Sequence, residues 1–96
     1  MTPSALVRQN IARVKNTIAK YPVRNARLFG SSARGDDRAD SDIDILVDPE
    51  PQTTLYDLAE LELELEALLG CKVDVRTPGD LAPEVASRVA RDLRPM

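Results

Sequence analysis

The alternation of apolar and polar positions divides the chain into helical and extended stretches. Val7, Ile11, Val14 and Ile18 recur at spacings of four, three and four, with Arg8, Arg13, Lys15 and Lys20 off that stripe, which predicts an amphipathic helix. Thr2 before Pro3 supplies a hydroxyl cap and then a residue with preset φ and no donor to satisfy, so the helix starts there. It runs to about Lys20, and Pro22 ends it. Ala26 to Phe29, bounded by Gly30, reads as a short strand entering a turn. From Asp42 to Asp48 the period is two. Ile43, Ile45 and Val47 fall on one face and Asp42, Asp44, Leu46 and Asp48 on the other, a strand with one wet or functional face.

Pro49 and Pro51 interrupt the chain, and Thr54 with Asp57 three residues on resembles a capping box. Glu60 to Glu66 alternates acid and leucine, which alone is a strand pattern. Composition decides for helix, because Leu, Glu and Ala are strong helix formers and no Val, Ile or Thr follows Thr54 in the segment. Gly70 suits its C-terminal cap. In that helix Leu58, Leu61, Leu65, Leu68 and Leu69 form one apolar face and Leu55, Ala59 and Leu63 a second stripe, which calls for two neighbours. Cys71 to Arg76 alternates again, with Val73 and Val75 opposite Lys72, Asp74 and Arg76, and predicts a third strand. Thr77 to Asp80 is a turn, and Ala82 to Leu93, with Val85, Val89 and Leu93 four apart, predicts a final helix. The expectation is an α/β (α+β) chain forming a single domain over residues 1–96, a small mixed β-sheet with helices packed on one face.

Composition narrows the chemistry. Ninety-six residues with 43% apolar content support one modest core and no separate lid, so a macromolecular substrate must bring its own surface. The lone Cys71 excludes an internal disulfide, and no apolar run approaches membrane-spanning length. The first twenty residues carry no signal-like stretch, so a cytoplasmic setting is expected. Histidine is absent, which leaves catalysis to carboxylates. The net charge of −3 conceals segregation: residues 1–38 carry eight basic against two acidic residues, 39–70 ten acidic and none basic, and 71–96 five basic against four acidic.

Asp42 and Asp44 share a strand face, and Asp74 lies on the matching polar face of a later strand. Residues two apart on a strand stand about 6.6 Å apart at Cα, near enough for both carboxylates to reach one divalent cation. Magnesium fits, since it takes hard oxygen ligands, usually a few carboxylates together with nucleotide phosphates. Gly30-Ser31-Ser32-Ala33-Arg34-Gly35 follows the first strand. There glycine permits close backbone approach, a following helical turn points N–H groups at a phosphate, Ser31 adds a hydroxyl and Arg34 a cation. An EF-hand is excluded, because Ile45 and Pro51 stand where the calcium loop requires glycine and a bidentate glutamate. Cys71, Tyr21 and Tyr56 read as packing residues. Arg24, Arg27 and Arg38 have no interleaved aromatics, so direct nucleic-acid binding is not expected.

Gly30-Ser31, ten intervening residues, Asp42-x-Asp44 in a strand and a later strand aspartate at Asp74 together resemble the signature of the DNA polymerase β-like nucleotidyltransferase superfamily. The longer string through Arg34-Gly35 and Ser41 to Val47 is similar to its smallest branch, the minimal nucleotidyltransferase (MNT) domains that act as antitoxins beside HEPN-domain toxins. The resemblance implies the polymerase β-like fold and Mg²⁺-dependent transfer of AMP from ATP to a hydroxyl, a tyrosine's, of a partner HEPN ribonuclease toxin in a hetero-oligomer. It implies that Asp42 and Asp44 bind metal ions holding the triphosphate, that Asp74 completes a second metal site and helps deprotonate the attacking hydroxyl, and that Gly30 and Ser31 grip the β and γ phosphates. The alternative is an antitoxin that neutralises its partner by stoichiometric contact alone, through Leu55, Ala59 and Leu63.

Overall fold

The computed structural model describes residues 1–84 and 94–95. Two short helices open the chain, α1 (Pro3–Gln9) and α2 (Ile11–Ile18), where the sequence pattern predicts one. The break is at Asn10, whose backbone N–H donates to the Leu6 and Val7 carbonyls while its side-chain amide donates to Leu6 O at 2.9 Å. A short amide side chain competing for a helix carbonyl is the physical reason. The expected start holds, since the Thr2 hydroxyl accepts from Ala5 N and Pro3 opens the first turn.

Strand β1 (Val23–Phe29) runs directly into a one-turn helix, α3 (Gly30–Arg34). Strand β2 (Ile43–Pro49), the 15-residue helix α4 (Leu55–Leu69) and strand β3 (Val73–Arg76) follow. The anticipated capping box at Thr54 and Asp57 and the left-handed cap at Gly70 are both present. The Thr77–Asp80 turn is a short 3₁₀ helix. A two-residue strand β4 (Arg94–Pro95), not anticipated, pairs with β1. The final helix expected over Ala82 to Leu93 lies almost wholly outside the described residues.

The sheet order is β3-β2-β1-β4, with β1 antiparallel to β2 and β4, and β2 parallel to β3. It is therefore mixed, as expected, in an α+β arrangement. Ile43, Ile45 and Val47 of β2 and Val73 and Val75 of β3 meet Val7, Val14 and Ile18 of the first helices and Leu61, Leu65 and Leu69 of α4 in one buried cluster. Leu46 points to the other face, expected to be wet, and is nonetheless buried. Its register partners there are Arg27 and Arg76, and arginine stems bring apolar carbon to such a surface.

Strand β3 is a sheet edge, and the acid–leucine alternation of α4 explains how that edge is closed. Glu62 and Glu66, four apart and so on one helix face, accept from Val75 N at 3.0 Å and Val73 N at 3.1 Å. Two backbone donors that would otherwise offer a template for another strand are thereby satisfied. Glu64 turns elsewhere, accepting from Lys20 Nζ and Tyr21 Oη, both at 2.5 Å, which clasps the end of α2 to α4.

Candidate active site

The register of β2 fixes the centre of the site. Asp44 stands opposite Asp74 on β3 and opposite Phe29 on β1. The next residue after Phe29 is Gly30, which opens α3 with φ +69°. A β-carbon added to Gly30 would lie 2.7 Å from Asp44 Oδ2, so only glycine lets the turn close over that carboxylate. Ser31 follows in the first turn of α3, whose leading N–H groups have no acceptor within the helix. Asp42 sits one residue before β2 begins, rather than within it. A tight turn leads into it, with Ser41 N donating to Arg38 O at 3.0 Å and Arg38 N to Ser41 Oγ at 2.8 Å.

The structure thus brings Gly30, Asp44 and Asp74 together at one end of the sheet, with Ser31 and Asp42 adjoining them in sequence. Arg34 is at the far end of α3, where its Nε donates to Asp36 Oδ2 at 3.1 Å. Burial pushes the Asp44 carboxyl up to about 6, with the negative charges of Asp74 and Asp42 adding to the effect and the positive charges of Arg76 and Lys72 opposing it. A half-buried carboxylate facing two others is destabilised until positive charge arrives. Burial likewise pushes the nearby Cys71 thiol up, aided by the charges of Asp42 and Glu66, which disfavours the thiolate, and the side chain packs against the core. Tyr56, read as a packing residue, is instead 83% exposed.

The donor set, carboxylate oxygens with no histidine, fits a hard divalent ion such as Mg²⁺. Among the described residues no three Asp, Glu, His or Cys side chains converge as a ready-made metal cage. Mg²⁺ is commonly held by one or two carboxylates and completes its shell with substrate phosphates and water. Two features of the site were not read from the sequence. Lys72 and Arg76, taken there as ordinary strand neighbours, act electrostatically on Asp44. Asp37 is buried and accepts from both Ser4 N and Ser4 Oγ, each at 2.8 Å, tying the loop before Asp42 to the first turn of α1. No local pattern joins residues 33 apart.

A glycine-led turn closing over paired strand aspartates on a small mixed sheet is the architecture of a minimal nucleotidyl-transferring enzyme. A solved structure assigned as a minimal nucleotidyltransferase is 41% identical and superimposes with a TM-score of 0.84, covering 100% of this chain and 97% of its own. The chain belongs to the nucleotidyltransferase domain family, whose model matches residues 11–94. Protein adenylyltransferase MntA of Thermococcus cleftensis is 42% identical over 82 residues, 85% of this chain and 83% of that protein. The fold is shared with the MNT antitoxin solved in complex with a tri-AMPylated HEPN toxin of Shewanella oneidensis, at 20% identity, a TM-score of 0.65 and coverage of 96% of this chain and 70% of that one. No helix among the described residues is long and apolar enough to cross a membrane.

Proposed function

We propose that this chain is an antitoxin that transfers AMP from ATP to a tyrosine hydroxyl of a HEPN-domain toxin and so silences it. The observation that carries the proposal is the placement of Asp44 opposite Asp74 and beneath Gly30. The adenylyltransferase name of the Thermococcus relative and the AMPylated toxin in the Shewanella assembly support it.

Asp42, Asp44 and Asp74 are the residues that would hold Mg²⁺, which when bound neutralises the triphosphate and stabilises the entering and leaving oxygens. Gly30 lets the backbone approach the β and γ phosphates, Ser31 donates its hydroxyl to them and Arg34 adds a cation at the end of the same turn. The acceptor oxygen attacks the α-phosphorus of ATP; a new P–O bond forms, the α–β bridging bond breaks and pyrophosphate leaves. Asp74, at the sheet edge, takes the proton from the hydroxyl. Positioning and charge stabilisation supply most of the catalysis in such a transfer.

The direct test is incubation with labelled ATP, Mg²⁺ and a purified HEPN-domain protein encoded by a gene adjoining that of this chain. Label is expected on that protein and is lost with Asp42→Asn or Asp44→Asn. Absence of label while the two proteins bind refutes the transfer. The exposed leucines of α4 favour one second reading, neutralisation by stoichiometric contact, and a double Asp42→Asn, Asp44→Asn variant that still neutralises establishes it.

A further inference from the structure

We infer that the outer face of α4, formed by Leu55, Tyr56, Ala59 and Leu63, is where the acceptor protein docks, and that the acceptor presents there an apolar stripe flanked by lysine or arginine. This rests on the proposed transfer to a partner protein and adds the surface and its chemistry.

Among the described residues four large apolar side chains are exposed, and apart from Met1 they are Leu55 at 80%, Tyr56 at 83% and Leu63 at 66%. All three lie on α4, where spacings of four through Ala59, itself exposed, join Leu55 and Leu63 in one stripe with Tyr56 beside it. The core does not need them, because Leu61, Leu65 and Leu69 already bury the opposite side of the helix. Helix propensity does not call for them either, since Lys, Arg or Gln would serve as well as leucine at a wet position and better than tyrosine.

Charge selects the occupant. Asp57, Glu62, Glu64 and Glu66 accept from Thr54 N, Val75 N, the Lys20 and Tyr21 pair, and Val73 N respectively. Glu60 is exposed and lies one helical turn from both Tyr56 and Leu63. It is set in a segment, residues 39–70, with ten acids and no lysine or arginine. A second copy would oppose like charges across the contact, whereas a basic-flanked apolar stripe meets both the leucines and the field. The same helix fixes the edge strand on either side of Asp74 through Glu62 and Glu66, so an acceptor seated on α4 is held by the element that positions Asp74.

The test measures binding of the purified HEPN-domain protein, and steady-state AMP transfer to it, for the wild type, Leu63→Glu, Tyr56→Ala and Glu60→Lys. These positions are exposed, and unchanged melting confirms folding. Leu63→Glu is expected to weaken acceptor binding by at least about tenfold, the loss typical of a central interface residue. The KM for the acceptor rises with it, and ATP binding does not change. Glu60→Lys should also weaken binding and reduce its salt dependence. Unchanged acceptor affinity in Leu63→Glu overturns the assignment, as does tighter binding by Glu60→Lys. So does a homodimer, seen by ultracentrifugation of the chain alone, that Leu63→Glu dissociates while acceptor binding persists. If the wild type neither binds nor labels the HEPN-domain protein, the proposed function itself fails and the inference with it.

Discussion

Gly30 and Asp44 are in contact across the turn that joins β1 to α3: a β-carbon on the glycine would stand 2.7 Å from Asp44 Oδ2. Backbone and carboxylate therefore occupy space that no other residue type could share, and the turn at Gly30 and the acidic strand are fixed against each other.

Gly30→Ala tests this contact. The residue sits at φ +69°, a left-handed conformation that costs a residue with a β-carbon about 1–2 kcal/mol, and Asp44 must also move aside. The expected outcome is a loss of folding stability of that order, read as a lower melting temperature, and a fall in AMP transfer of roughly a hundredfold, since a displacement near 1 Å at a reacting centre has that effect. Calorimetry and the labelled-ATP assay check both.

Asp44→Asn should stabilise the metal-free protein at neutral pH while abolishing transfer. The folded carboxyl titrates near 6 against an ordinary 3.8, so the folded state holds its proton more tightly than the unfolded chain does. Ionisation then disfavours folding, and stability falls as pH rises from about 4 to 6 and stays low above that. With the shift discounted for a group half open to water, removing the charge is worth about 1–2 kcal/mol at pH 7. Urea denaturation in EDTA at pH 7 and pH 4 checks the sign, because the advantage of the variant should vanish at the lower value.

Much of this arrangement was legible in the sequence because it depends on local signals. Period-two alternation locates β2 and β3, the Thr54–Asp57 box and Gly70 bound α4, and the Gly30-Ser31 and Asp42-x-Asp44 strings mark the turn and strand that meet. What was not legible depends on partners distant along the chain. The break at Asn10 arises from one side chain competing for the Leu6 carbonyl inside an otherwise continuous stripe. Leu46 follows the polar alternation and is buried by its place in the sheet. The glutamates of α4 look like a solvated run, yet their length lets Glu62 and Glu66 reach the edge of β3.

That edge closure makes a further prediction. Glu62→Ala with Glu66→Ala leaves the Val73 and Val75 amides without their acceptors, at about 1 kcal/mol each. The expected result is loss of stability of that order, faster hydrogen exchange at those two amides and a tendency to self-associate through the bared strand. Replacing both with glutamine keeps a carbonyl acceptor and should restore protection. Equal exchange rates in the alanine and glutamine variants would refute the edge-cap role.

Asp37 carries the last prediction, because it is where the first turn of α1 is tied to the loop leading to Asp42. Both of its oxygens are engaged, Oδ2 by Ser4 N and Oδ1 by Ser4 Oγ, in a buried setting. Asp37→Ala strands two donors at once and should cost about 1–3 kcal/mol. Asp37→Asn retains a carbonyl acceptor for the amide, and Ser4→Ala removes only the hydroxyl bond, so each should cost less. In a double-mutant cycle, Ser4→Ala should have little further effect once Asp37 is alanine. Additive losses, or a Ser4 amide whose hydrogen exchange is the same in the wild type and in Asp37→Ala, would show that the tether does not hold the loop.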